Sequence, residues 1–435
     1  MTKPNLIVIY CDDLGYGDLG CYGSDTAKTP HLDQLAGEGV RFTDWYSNSP
    51  VCSPSRAALL TGKYPARTGV SNILGGKRGL SGLPANQTTL AKMLKHNGYK
   101  TALFGKWHLG VAEETSPNAH GFDEFFGFKA GCIDFYSHIY YWGHSEGNPV
   151  HDLWQDNQEV WENGRYMTEL ITERAVDYIE RQAAGEEPFF IYAAYNAPHY
   201  PMHAPKEYMD RFAHLPWDRQ VMAAMIAAVD DGVGAIVDAL KRTGRYENTV
   251  IFFSSDNGPS TESRNWLDGT EDRYYGGSAG IFRGHKFSLL EGGVREPAIL
   301  SWPGGIPGGR VIEEMAIMMD VVPTFLDLAG IDSTTGPLEG EKLDGLSLKG
   351  LLQQGEATPH QQIFWEYWGQ LAVREGNWKL VLDARIDNER IDGASVRLSD
   401  LSTDPGERVN LAGQHPELAQ RLTEAVKSWH AGLNP

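Results

Sequence analysis

Cys52-Ser53-Pro54-Ser55-Arg56 sets a thiol and a guanidinium four residues apart around a proline, and a run of small residues follows as far as Thr61-Gly62. Proline fits the first turn of a helix, where its missing N–H is not needed, so a helix is expected to start here. Free backbone N–H groups at such a start attract an anion, and the same field lowers a thiol pKa. Cys52 is therefore a candidate nucleophile, although a lone cysteine is more often a buried packing residue. Its neighbours in space have to decide. Asp12-Asp13 and Asp256-Asn257 offer oxygen ligands only, a set that suits a hard cation such as Ca²⁺ or Mg²⁺ rather than Zn²⁺. Adjacent carboxylates are costly without a cation. Lys106, His108, His199 and Lys286 offer positive charge for a small anion. Taken singly, either lysine reads as a solvated surface residue and His199 as a loop histidine, so their meeting carries the case.

The elements that must bring them together are legible as β-rich runs alternating with helical ones, the pattern of a parallel sheet covered by helices. Strands are expected at 6–10, 101–104, 189–195, 250–254 and 298–301, and helices at 89–97, 167–182, 219–242 and 320–329. In the third helix Val221, Met225, Ala228, Val229, Gly232, Ile236 and Leu240 keep the period of one buried face. Open parallel sheets bind ligands at the carboxyl ends of their strands. Asp12-Asp13 follow the first strand, Lys106 and His108 the second, His199 the third and Asp256-Asn257 the fourth. Four strands that deliver such groups at one end define a site better than any single motif. The expected fold is α/β: a large mixed, mostly parallel sheet flanked by helices on both faces, with a smaller C-terminal antiparallel sheet plus helix. A loop rich in Gly, Thr, Ser and acidic residues at 330–345 is expected to divide a catalytic domain, 1–345, from a C-terminal α+β subdomain, 346–435. In the latter, strands at 363–368, 371–374 and 378–382 form a meander with a hairpin at Glu375-Gly376-Asn377, and an amphipathic helix at 416–430 closes the chain.

A chain of 435 residues has room for this arrangement, and 41% hydrophobic with 22% charged residues describes a soluble globular protein. The apolar runs 5–10 and 189–195 are strand-length and too short to cross a bilayer. No charged, apolar and small-residue leader precedes Asn5, which makes a cytoplasmic protein the expectation, or a periplasmic or secreted one if a leader has been removed. Cys11, Cys21, Cys52 and Cys132 show no zinc-ligand spacing and are too few for a disulfide framework. The formal charge of −19 disfavours nucleic acid and anionic membranes as partners. It also requires any site for an anionic substrate to carry its own positive cluster, which the two lysines and two histidines supply.

Cys-x-Pro-x-Arg followed by a small-residue helix and Thr-Gly resembles the signature of the type I sulfatases, in the alkaline phosphatase-like superfamily. The resemblance covers nearly the whole chain: Asp12-Asp13, Cys52 to Arg56, Lys106-Trp107-His108, His199, Asp256-Asn257 and Lys286 stand in that family's order and approximate spacing. Leu398-Ser399-Asp400-Leu401, Asp404-Pro405-Gly406-Glu407 and Asn410-Leu411 resemble the tail of arylsulfatases. The resemblance implies hydrolysis of sulfate monoesters, aryl sulfates or sulfated sugars, to sulfate and an alcohol or phenol. It implies conversion of Cys52 to formylglycine by a maturation enzyme. It also implies one divalent cation, Ca²⁺ with Mg²⁺ or Mn²⁺ as alternatives, held by Asp12, Asp13, Asp256, Asn257 and the modified Cys52. In the implied roles one hydroxyl of the hydrated aldehyde attacks sulfur, with Asp256 as base and Arg56 holding the diol. Lys106 and Lys286 bind the sulfate oxygens, His199 or Lys286 protonates the leaving oxygen, and His108 deprotonates the second hydroxyl to expel sulfate.

Segment 131–161 contains Tyr136, His138, Tyr140, Tyr141, Trp142, His144, His151 and Trp154, and such loops near a site suit an aryl ring or a sugar face. Tyr136 and His138 are its candidate substrate contacts, with packing of the loop against the body as the even alternative. The run 121–127 and Asp134 to His138 are similar to arylsulfatases, including N-acetylgalactosamine-4-sulfatases, without selecting one ester. Two other functions use the same residues: a phosphomonoester, phosphodiester or phosphonate hydrolase, and a non-catalytic sulfated-glycan binder if Cys52 stays a thiol. Homo-oligomerisation is left open.

Overall fold

The structure, a computed structural model, describes residues 3–76, 82–140, 149–261, 273 and 275–433. Tyr141, Trp142 and His144 of the aromatic segment lie outside these residues. Leu6-Ile7-Val8-Ile9 is apolar on both faces, as a strand covered from two sides must be, and Asn5–Cys11 is buried throughout. It pairs in parallel with Phe189–Ala194 on one side and Thr249–Ser255 on the other, so that Ile7 stands between Ile191 and Ile251. Alternation along these strands sends Ile7 and Ile9 to one core, with the helices Pro30–Glu38, Met167–Gln182 and Trp217–Arg242. Leu6, Val8 and Tyr10 go to the other, with Cys52–Thr61, Leu90–His96 and Val321–Leu328.

From edge to edge the sheet runs Arg310–Ile312, Val40–Phe42, Ala298–Ser301, Thr249–Ser255, Asn5–Cys11, Phe189–Ala194, Lys100–Lys106, Glu124–Phe128, Trp154–Gln155, Gln158–Glu159. The central strands, from Thr249–Ser255 to Glu124–Phe128, are mutually parallel. Their ends are level: Tyr10 is opposite Ala194, Cys11 opposite Ser255, and Ala194 opposite Gly105. The residues that follow therefore emerge along one line. Ala298–Ser301, expected among the parallel strands, runs antiparallel to Thr249–Ser255, so its carboxyl end points away from that line.

Trp217–Arg242 is long and apolar enough to cross a membrane, but its apolar window is 78% buried inside the protein, where it packs against Met167–Gln182 and Pro30–Glu38. Near the C-terminus, Ile363–Tyr367, Gln370–Glu375, Trp378–Leu382 and Val396–Asp400 form an antiparallel sheet. Val373, Leu380 and Leu398 on one face pack under Leu422 and Val426 of the helix Pro416–Ala431. Trp365, Ala372 and Val381 on the other face pack against Tyr46, Leu290 and Val294 of the main body. Leu348, Leu351 and Leu352, beyond the expected boundary at 345, still belong to the core on the Leu6 and Val8 face of the large sheet.

Candidate active site

Cys52–Thr61 is a helix buried along its whole length, and the thiol opens its first turn. Arg56 lies one turn on, fully buried, and works as a clamp between strand ends. Its Nε and Nη2 donate to Asp256 Oδ2 at 3.0 and 2.7 Å, and Nη1 donates to the Tyr192 hydroxyl at 3.2 Å. Nη2 is also 3.7 Å from Asp12 Oδ1. The carboxylates interlock. Asn257 Nδ2 donates to Asp13 Oδ1 at 2.7 Å, and the Asp13 N–H donates to Asp256 Oδ1 at 3.2 Å. The Lys106 ammonium binds Asp12 Oδ2, and Lys286 Nζ donates to Asp13 Oδ2 at 3.1 Å. Asp13 and His108 both sit in the left-handed backbone region, with φ of 62° and 54°. That conformation is unfavourable for either residue and recurs where surrounding structure fixes a functional side chain.

The donor set fits a hard cation. Asp12 Oδ1 and Asn257 Oδ1 are buried oxygens without a hydrogen-bond partner, beside the carboxylates of Asp13 and Asp256. Ligand atoms of Asp12, Asp13, Cys52 and His199 lie within 4.8 Å of one another, which puts the residue at position 52 beside the same place. Burial pushes the Asp12 carboxyl up, but Lys106, His199, Arg56 and Lys286 outweigh it and hold it well below the usual range. Asp256 goes the other way: burial and then Asp12 push it up to about 7 against the pull of Arg56.

The histidines are fixed by carbonyls, which only accept. Tyr200 O takes the proton of His199 Nδ1 at 2.6 Å, leaving Nε2 to accept from Lys286 Nζ at 3.2 Å. Leu74 O takes the proton of His108 Nε2 at 3.0 Å, which leaves His108 Nδ1 a buried acceptor without a partner. Burial and then Lys106 hold the His108 pKa well below its ordinary value, so it is neutral at pH 7. For Cys52, burial pushes the thiol well above its ordinary pKa, with Lys106 and Lys286 opposing. The helix start does not produce a thiolate here, because desolvation exceeds the local positive field.

These groups floor a cavity of about 330 Å³, reached by Cys52, His108, His199 and Lys286. Its walls are Ile73, Leu74, Gly75, Gly131, Cys132, Tyr140 and Phe287. All ten metal, acid–base and anion-binding candidates are thus gathered at one place. Tyr136 and His138 are not. Tyr136 packs on Tyr166 and His203, at 5.4 and 6.1 Å between ring centroids. His138 is buried against the Arg165 carbonyl, at 3.2 Å from Nε2. Segment 131–161 contributes its first residues and Tyr140 instead, because its middle turns back on the Met167–Gln182 helix through Met167 N and the Phe135 carbonyl. Ile73, Leu74 and Phe287 had no signal in the sequence beyond being apolar near a motif.

Oxygen ligands for a hard cation, two buried lysines and a neutral histidine at the carboxyl edge of a mixed sheet suit a hydrolase of anionic esters. The sulfatase family model matches residues 4–331, and the model for the C-terminal part of N-sulphoglucosamine sulphohydrolase matches 277–431. The chain belongs to the sulfatase family and is a sulfuric ester hydrolase. Arylsulfatase A of Homo sapiens is 36% identical over 478 residues, which cover 97% of this chain and 86% of that protein. N-acetylgalactosamine-6-sulfatase of Canis lupus familiaris is 32% identical over 479 residues, covering 99% and 87%. Among solved structures, Ps i-CgsB in complex with k-i-k-neocarrahexaose superposes with a TM-score of 0.86 at 32% identity, covering 98% of this chain and 93% of that one.

Proposed function

We propose that the cavity hydrolyses the sulfate monoester of a sugar or phenol ring, with Cys52 in its formylglycine form supplying the attacking oxygen. The observation that carries this reading is that Cys52 lies beside Asp12 and Asp13, the carboxylates that Lys106 and Lys286 bind. Ca²⁺ held by those four residues would supply the Lewis acidity that lowers the pKa of an oxygen at position 52. The protein's own groups do the rest. Lys106 and Lys286 face the sulfate oxygens and stabilise charge that grows on them during transfer. Lys286 and His199 Nε2, joined at 3.2 Å, hold a proton within reach of the departing oxygen. His108 Nδ1, held unprotonated by the Leu74 carbonyl, is the acceptor for the proton of the second hydroxyl at position 52. Arg56 fixes Asp256 rather than touching the sulfate. The apolar walls, Ile73, Leu74, Tyr140 and Phe287, suit a ring stripped of most of its water. The names of the relatives, one an N-acetylgalactosamine-6-sulfatase and one seen with a hexaose, favour a sugar ring.

Cys52 is 1% exposed and inside a helix, so the maturation enzyme must act on residues 52–56 before this helix packs. Peptide mass analysis of the Cys52 segment is expected to show the thiol replaced by an aldehyde. Cys52→Ala is expected to lose at least about three orders of magnitude in kcat while still binding Ca²⁺ in a chelator competition. Full turnover by Cys52→Ala, or a wild-type enzyme active with an unmodified thiol, would end this reading. Faster turnover of an aryl phosphate than of the matching aryl sulfate would transfer the site to phosphate ester hydrolysis.

A further inference from the structure

The C-terminal sheet reaches the mouth of the cavity at a point the mechanism leaves unused. Tyr367 pairs with Gln370, so the turn between these strands has just two residues, Trp368 and Gly369. Their φ angles are 45° and 76°. Two-residue hairpins with both central residues in this region favour Asn, Asp and Gly, and a bulky aromatic there is an outlier. The turn between Arg385–Ile386 and Glu389–Arg390 follows the rule, with Asp387 and Asn388 at φ 51° and 65°. Local folding therefore does not ask for tryptophan at 368. Core packing does not ask for it either, since the side chain is 62% exposed.

The ring is nevertheless held firmly. Nε1 donates to Asn72 Oδ1 at 3.0 Å, and the indole stacks on Tyr367 with centroids 5.5 Å apart and planes within 5°. Both supports lead to the cavity. Asn72 directly precedes Ile73, Leu74 and Gly75, which line it. Tyr367 lies 6.3 Å from Phe287, which lines it too, and Gln370 Nε2 donates to the Phe287 carbonyl at 3.0 Å. Trp368 is thus an exposed aromatic plate whose two supports, Asn72 and Tyr367, adjoin residues that wall the cavity.

We infer that Trp368 forms a carbohydrate subsite next to the sulfated residue, where it stacks on the C–H face of an adjoining pyranose in a sulfated oligosaccharide. This rests on the reading that the cavity takes a sulfated sugar, and deepens it from a single ring to a chain. A pyranose presents one apolar face and a rim of hydroxyls, and a pre-positioned indole offers flat area with little side-chain freedom left to lose on binding. The unfavourable turn conformation is explained if residue 368 is there for its ring rather than for the hairpin.

The test measures kcat/KM for wild type, Trp368→Asn and Trp368→Phe on four esters: 4-nitrophenyl sulfate and N-acetylgalactosamine 6-sulfate as small substrates, and a chondroitin 6-sulfate tetrasaccharide and neocarrahexaose as chains. The readout is the ratio of the better chain to the better small ester. That ratio is expected to exceed one in wild type, to fall about five- to tenfold in Trp368→Asn, and to be largely kept in Trp368→Phe. The Tm of Trp368→Asn should be no lower than wild type, because asparagine suits the turn. A wild-type ratio at or below one, or a ratio that Trp368→Asn leaves unchanged, overturns the subsite. Failure of formylglycine-bearing wild type on every sulfate ester is a different result: it defeats the sulfatase reading of the cavity, and the subsite falls with it.

Discussion

Asp256 is pulled in two directions by its neighbours. Burial and the Asp12 charge raise its pKa to about 7, while the two N–H groups of Arg56 favour the ionised form. A cation bound at this cluster needs the carboxylate, so below about pH 7 it must displace a proton that the folded protein holds more tightly than free aspartate does. Affinity for Ca²⁺ is therefore expected to fall by about tenfold for each pH unit below that point and to level off above it. Chelator competition at several pH values would show the break, and a flat profile between about pH 5 and 8 contradicts the assignment. The residues at 12, 13, 256 and 257 were legible as candidate oxygen ligands from their position after strands, and the fold brings them together. The bond from Arg56 to Asp256 was not, because the two are 200 residues apart and nothing in either motif specifies the other. Cys52 shows the opposite lesson. Its helix start suggests a lowered pKa, and only the degree of burial reverses the sign.

The segment that carries Lys286 is tied to the C-terminal sheet by ions buried between them. Lys379 Nζ, on the strand Trp378–Leu382, donates to Glu291 Oε1 at 2.7 Å and lies 3.7 Å from Glu407 Oε1, all three fully or almost fully buried. Glu407 Oε2 accepts from the Glu291 N–H at 2.7 Å, and Arg295 Nη1 donates to Glu291 Oε2 at 2.9 Å. Burial pushes Glu407 up to about 7, with Lys379 opposing and Glu291 adding to the rise. Lys379→Met removes the ammonium and leaves two facing carboxyl groups in the interior, a loss expected to be about 3–5 kcal/mol. Thermal unfolding should show a lower Tm, and any folded variant should show a raised KM, since Glu291 is five residues from Lys286. An unchanged Tm would mean that the seam does not hold the two sheets together. Three strands of the meander and the closing helix were legible from alternation and amphipathicity, and differ by only a residue or two at their ends, but the fourth strand of that sheet, Val396–Asp400, was not. The seam itself was silent, because a lysine and two glutamates in separate motifs look like solvated charges until a sheet face covers them.

On the scale of the molecule, a formal charge of −19 surrounds a cavity built for an anion. Raising ionic strength from about 0.01 M to about 0.15 M shortens the Debye length from about 30 Å to about 8 Å. Repulsion by the distant surface is screened first, while Lys106 and Lys286 act at contact range from within the site. The kcat/KM for a sulfated oligosaccharide is therefore expected to rise by about two- to fivefold over that range. A fall would show that the local positive field already governs encounter. The sequence by itself determined the fold class, the four strand ends and the identity of the groups at the site. Strand periodicity and the rule that ligands gather at carboxyl ends are local and topological, and both can be read along a chain. Tertiary structure alone decided which walls enclose the substrate. Ile73, Leu74 and Phe287 line the cavity, while Tyr136 and His138 pack elsewhere. Those contacts join segments far apart in the chain, and an aromatic residue in a loop carries no mark of which surface it will face.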